Sequence, residues 1–83
     1  MTGPDLKRIR RALGLSTTEL GRAFGYEGQD NTVSVTIRRY EAGLRPIPPW
    51  IARLASMYDR YGVPNWVLYN VGGEMPPLLE GPR

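Results

Sequence analysis

Apolar residues recur along most of this chain at helical intervals. Leu6, Ile9 and Leu13 stand at i, i+3 and i+7, one face of a helix that Pro4 or Asp5 opens and Gly14 stops. Ser16 is placed to cap a second helix, with Glu19 three residues on as in a capping box. Leu20 and Phe24 form its inner face, Gly21 allows a neighbouring helix to come close, and Gly25 ends it. Residues 26–31 read as a polar loop. Residues 32–37 alternate at period two and are rich in β-branched side chains, which also describes a strand. Read as a helix, the segment puts Val33, Ile37 and Tyr40 on one face, offers Asp30, Asn31 and Thr32 as caps, and stops at Gly43. The helix is favoured because a lone strand here has no obvious partner.

Residues 44–49 form a stiff, proline-rich connector, and proline suits the opening of the next helix. Ile51, Leu54, Ala55 and Tyr58 make the fourth stripe, closed by Gly62, and residues 64–69 read as a short fifth helix. From Gly72 onward the composition turns to Gly, Pro and Glu, so residues 73–83 are expected to form a loose tail behind a domain spanning 1–72. The expected fold class is all-α: a compact five-helix domain with a flexible C-terminal tail.

Helices two and three, within residues 14–43, have the length and glycine stops of a helix-turn-helix. Arg38 and Arg39 lie on the side of the third helix opposite its apolar residues. That is the minimal device for laying side chains along base edges in a major groove. The charge distribution points the same way. Of the eleven basic residues, eight lie in residues 1–45 against five acids, whereas residues 46–83 balance at three each, and the chain carries a formal +3. A basic half beside a neutral half suits a polyanion. Ten of the eleven basic residues are arginine, which grips phosphate and guanine with two parallel hydrogen bonds.

Cysteine and histidine are absent, which excludes disulfide scaffolds, zinc fingers and the commonest general base. No cofactor or metal is expected, and the isolated serines and carboxylates form no catalytic spacing, so the chain does not read as an enzyme. No apolar run approaches the roughly 20 residues of a membrane span, and no signal peptide is recognised. A cytoplasmic protein with no membrane association and no small-molecule ligand is the expectation.

Three blocks in this order resemble the lambdoid phage repressor and Cro type of helix-turn-helix, also called the xenobiotic-response-element family. They are Leu13-Gly14-Leu15-Ser16-Thr17-Thr18-Glu19-Leu20-Gly21, Thr36-Ile37-Arg38-Arg39-Tyr40-Glu41-Ala42-Gly43 and Gly62-Val63-Pro64-Asn65-Trp66-Val67-Leu68. The likeness covers residues 5–71. The departure is the connection between helices two and three, about six residues longer than the family's tight turn.

The resemblance implies a lambda-repressor-like fold and roles for single residues. Thr17, opening the second helix, would bind a phosphate. Ser34 and Val35 would touch base edges, followed one turn on by Arg38 and Arg39, with Arg39 favoured for the base. Arg45 would grip the sugar-phosphate backbone. Asn31 and Thr32 are phosphate candidates at the helix N-terminus, where free amides favour an anion, and Thr36 joins that set. Arg10 and Glu41 match a family salt bridge between the first and third helices and are assigned to the scaffold. Tyr40 is read as a core wedge and Trp66 as a core anchor, while Lys7, Arg8 and Arg11 supply only long-range field.

The expected function is sequence-specific binding of double-stranded DNA. A homodimeric repressor of phage or mobile-element type, with autoregulation as one mode of control, would sit on an inverted-repeat operator. Its dimer surface is nominated near the C-terminus, around Val67, Tyr69, Val71, Leu78 and Leu79. Two other readings compete: an antitoxin that also binds its own promoter, and a protein-interaction module that uses the same fold.

Overall fold

Short-range hydrogen bonds at the helix ends decide where the elements begin and stop. The computed structural model describes residues 1–65 and residue 67. Among them lie four helices and no strand: α1 (Gly3–Leu13), α2 (Thr17–Ala23), α3 (Asp30–Glu41) and α4 (Pro49–Tyr61). The Ser16–Glu19 capping box at the start of α2 is complete, with Glu19 N–H donating to Ser16 Oγ at 3.0 Å and Ser16 N–H to Glu19 Oε1 at 2.8 Å. An equivalent box opens α1. Thr2 Oγ1 accepts from Asp5 N–H at 3.2 Å, so the helix begins at Gly3, ahead of Pro4 and Asp5. Asp5, expected as a possible first residue, is instead the third residue of the helix and half of this box.

The period-two segment 32–37 is helical throughout. Two expectations at its start need correction. Asp30, Asn31 and Thr32 do not cap α3 from outside; they form its first turn. The residue at the cap is Gln29, whose side chain makes no capping hydrogen bond. The connection from α2 is accordingly residues 24–29, not an excursion reaching Asn31. At the other end the expected stop holds. Gly43 has φ +77°, a left-handed conformation that disfavours a Cβ, and Leu44 N–H turns back to donate to Arg39 O at 2.9 Å.

The apolar stripes meet in one core. Leu6 and Ile9 of α1, Leu20 and Phe24 at α2, Val33, Ile37 and Tyr40 of α3, and Ile51, Ala55 and Tyr58 of α4 are all buried. Leu13 and Leu54 pack against them half-buried. Phe24 stacks on Tyr58 with ring centroids 6.0 Å apart. The Tyr58 hydroxyl donates to Ala23 O at 2.5 Å, which ties α4 to the end of α2 and satisfies a buried polar group. Burial pushes the Tyr58 phenol pKa above its ordinary value. α2 packs on α3, and α1 packs on both α3 and α4.

Gly21 is what lets α2 and α3 approach. A Cβ there would overlap Val33 Cγ1 and press on Ile37 Cγ1 at 3.2 Å. Gly21→Ala is therefore expected to lower stability by about 1–3 kcal/mol, although alanine is the better helix former. Urea midpoints read this directly, and an unchanged midpoint would mean that the helices have room to part.

The expected fifth helix, residues 64–69, falls largely outside the described residues. Of it, Val67 is buried, and its N–H donates to Pro64 O at 3.0 Å. Trp66, the expected core anchor, lies outside, as do Tyr69, Val71, Leu78 and Leu79 of the nominated dimer surface and the tail 73–83.

Candidate nucleic-acid interface

With Val33, Ile37 and Tyr40 buried, the other rows of α3 are forced outward. A helix turns about 100° per residue, so positions four and seven apart share a row. Val35, Arg39 and Ala42 form such a row on the open face: Arg39 and Ala42 are exposed and Val35 is half-buried. Asn31 and Thr32 are exposed at the start of the same face. Arg38 is exposed as well but shares its row with Ser34 and Glu41, along the edge where α3 meets α1 and α2. Geometry thus separates the two adjacent arginines. Arg39 stands out from the middle of the open face and Arg38 from its margin.

Ser34 is not where a base reader needs to be. Only 6% of it is exposed, and its hydroxyl meets that of Thr17 at 2.6 Å. Ser34, expected at a base edge, makes a polar link between α2 and α3. The same bond places half-buried Thr17, the first residue of α2, beside the exposed surface of α3. If Ser34 donates to Thr17, the Thr17 hydroxyl keeps its own proton for an acceptor outside. Thr36 is half-buried, and its hydroxyl donates to Thr32 O at 3.0 Å. That proton is already committed within the helix, so Thr36 would have to break the bond before donating to a phosphate.

Past the end of α3, exposed Arg45 rests its guanidinium 5.5 Å from the centre of the Tyr40 ring. Tyr40 is 3% exposed, a core residue whose hydroxyl meets that of Tyr26 at 2.8 Å. Desolvation, then the hydrogen bond to Tyr40, pushes the Tyr26 phenol up to about 12. The Tyr26 ring lies in turn 5.9 Å from Trp50 at the start of α4. The loop, the end of α3 and the start of α4 are joined through this aromatic group.

Arg10 and Glu41 face each other from α1 and α3. Arg10 Nε donates to Glu41 Oε2 at 2.6 Å and Nη2 to Oε1 at 3.2 Å, a two-pronged pair, and Nη1 donates to Leu15 O at 3.0 Å. Arg10 is thus turned into the scaffold and away from the open face. Lys7, Arg8 and Arg11 are exposed along α1, with Arg8 3.9 Å from Asp59 of α4.

One residue escaped sequence reasoning. Arg22, counted only as a positive charge, has a side chain 11% exposed and folded beneath the 24–29 loop. No pattern in one sequence announces this, because its partners are two backbone carbonyls and a carboxylate brought near by the loop itself.

No group of three potential metal ligands occurs among the described residues, and none of their helices is long and apolar enough to cross a membrane. The chain matches no protein-family model, no curated protein and no solved structure.

Proposed function

We propose that this chain is a sequence-specific DNA-binding transcriptional regulator in which α2 and α3 act as a helix-turn-helix with an extended connection. The observation that carries this reading is the two-sided character of α3. Val33, Ile37 and Tyr40 hold one side in the core while Asn31, Thr32, Val35 and Arg39 stand together on the other. A rigid rod with such a face is about the size that B-DNA's major groove admits.

In this reading Arg39 reads a guanine through O6 and N7, and Val35 packs on a thymine methyl. Arg38, at the margin, clamps a phosphate rather than a base. Thr17, Asn31, Thr32 and Arg45 supply further backbone contacts, and Ser34 serves by holding Thr17 in place. The active species is a homodimer with two α3 helices in successive major grooves about 34 Å apart on an inverted repeat. Occupancy of a promoter then blocks RNA polymerase, and an operator in the protein's own promoter makes the circuit autoregulatory. Operation is in the cytoplasm, with double-stranded DNA as the partner and no cofactor.

Selection from random duplexes tests the reading. A recovered palindromic motif supports it, and recovery of unrelated sequences with equal affinity sinks it. Arg45→Ala should then weaken all duplexes alike and reduce the slope of log K against log salt by about one, as expected for one lost phosphate contact. An unchanged slope would confine Arg45 to its place over Tyr40.

A further inference from the structure

α3 differs from α1 and α2 in how its start is set. Those two open on complete capping boxes, Thr2 with Asp5 and Ser16 with Glu19, whereas Gln29 makes no side-chain bond to the first turn of α3. No side-chain cap therefore fixes which residue begins the helix, and uncapped helix ends are the more prone to fray. Arg22 supplies the missing constraint from a different element. From α2 its Nη1 donates to Tyr26 O at 3.2 Å, and its Nη2 donates to Gly28 O at 2.6 Å and to Asp30 Oδ1 at 2.7 Å. Two of these partners precede the helix and the third is its first residue. One planar, nearly buried guanidinium thus spans the junction between loop and helix.

We infer that Arg22 is the positioning residue for the DNA-facing surface, fixing the start of α3 so that Asn31, Thr32, Val35 and Arg39 project at set heights along the helix. This rests on the DNA-binding reading for its consequence but not for its structural part. The clamp also neutralises the Asp30 carboxylate, whose side chain is 72% exposed at the end of the helix where phosphates would approach. A lysine cannot take this role, because an ammonium is a point donor without the fork that reaches three acceptors at once.

The test compares wild type, Arg22→Lys and Arg22→Met, each shown to be folded by its thermal melt. Hydrogen exchange is read at the Val33 amide, which bonds Gln29 O at 3.1 Å, against the buried centre of α3 as internal control. Arg22→Lys should speed exchange at Val33 by about tenfold with little change at Ile37. It should also weaken the selected duplex by about tenfold while random duplex changes by less than about twofold, because total charge is retained.

Arg22→Met should match Arg22→Lys in exchange but lose affinity for random duplex as well, since Asp30 is then left unneutralised. Unchanged Val33 exchange in both variants overturns the clamp. Faster exchange with the sequence preference intact shows a purely structural role and overturns the positioning assignment. Wild-type protein without any sequence preference defeats the DNA-binding reading, while the exchange measurement still decides the clamp.

Discussion

Arg39→Ala is expected to weaken binding to the selected duplex by about 1–3 kcal/mol, roughly 5- to 150-fold, and to abolish preference at a single base-pair position in each half-site. The magnitude follows from what one arginine does at a guanine. Two parallel hydrogen bonds satisfy O6 and N7 together, and no other base pair presents that pair of acceptors in the major groove. The expectation is specific to Arg39 because it shares the open row of α3 with Val35 and Ala42. Arg38→Ala should instead lower affinity for every duplex, with its effect shrinking as salt rises. Binding isotherms on the selected site and its single-base variants separate these outcomes. If Arg39→Ala lowers affinity equally on every duplex, Arg39 is a phosphate contact and base reading must come from elsewhere on the face.

The second large effect is on stability. Glu41→Ala is expected to destabilise the fold by about 3 kcal/mol, because it leaves the Arg10 guanidinium largely buried without its counter-charge. The side chains of Arg10 and Glu41 are only 15% and 7% exposed, so water offers little replacement. The double variant Arg10→Met with Glu41→Leu should recover much of that loss, since replacing both partners removes the desolvated charge altogether. Urea denaturation of Arg10→Met, Glu41→Leu and the double variant completes the cycle. Additive losses would mean that the pair is not coupled and that each residue acts through other contacts, such as the Arg10 bond to Leu15 O.

The periodic part of the fold was legible because it is a local property. Leu6, Ile9, Leu20, Phe24, Ile37, Tyr40, Ile51 and Tyr58 were identified as inward-facing by spacing alone, and all are buried. Gly21 was legible for the same reason: on an amphipathic helix a residue without a side chain marks a close approach. The ends of α3 were only half legible. Gly43 announces a stop through its own backbone preference, but a helix whose start is set from another element leaves no signature beside its first residue. Gly3 gave no signal at all, yet its α-carbon sits against the carbonyls of Tyr40 and Glu41, where a side chain would not fit.

The candidate surface divides in the same way. Period and residue type sufficed to put Arg38 and Arg39 on the wet side of a helix. They could not rank Ser34, which belongs to the right segment but faces α2, because helical spacing gives direction around one axis and not what stands there. Its hydroxyl also fits a base edge as well as it fits Thr17.

Taken alone, the chain's pattern pointed to four helices between Pro4 and Gly62, to which of their faces would be dry, and to the arginines of the third helix remaining outside. These follow from propensity, periodicity and capping, interactions that reach no more than a turn or two along the chain. Only the tertiary structure decided that Ser34 would be withdrawn, that the Tyr58 hydroxyl would reach Ala23 O, and that Arg22 would hold the junction ahead of Asp30. Each of these joins residues whose proximity depends on how whole helices pack, and a side chain's hydrogen bonds are set by the acceptors that packing brings within reach.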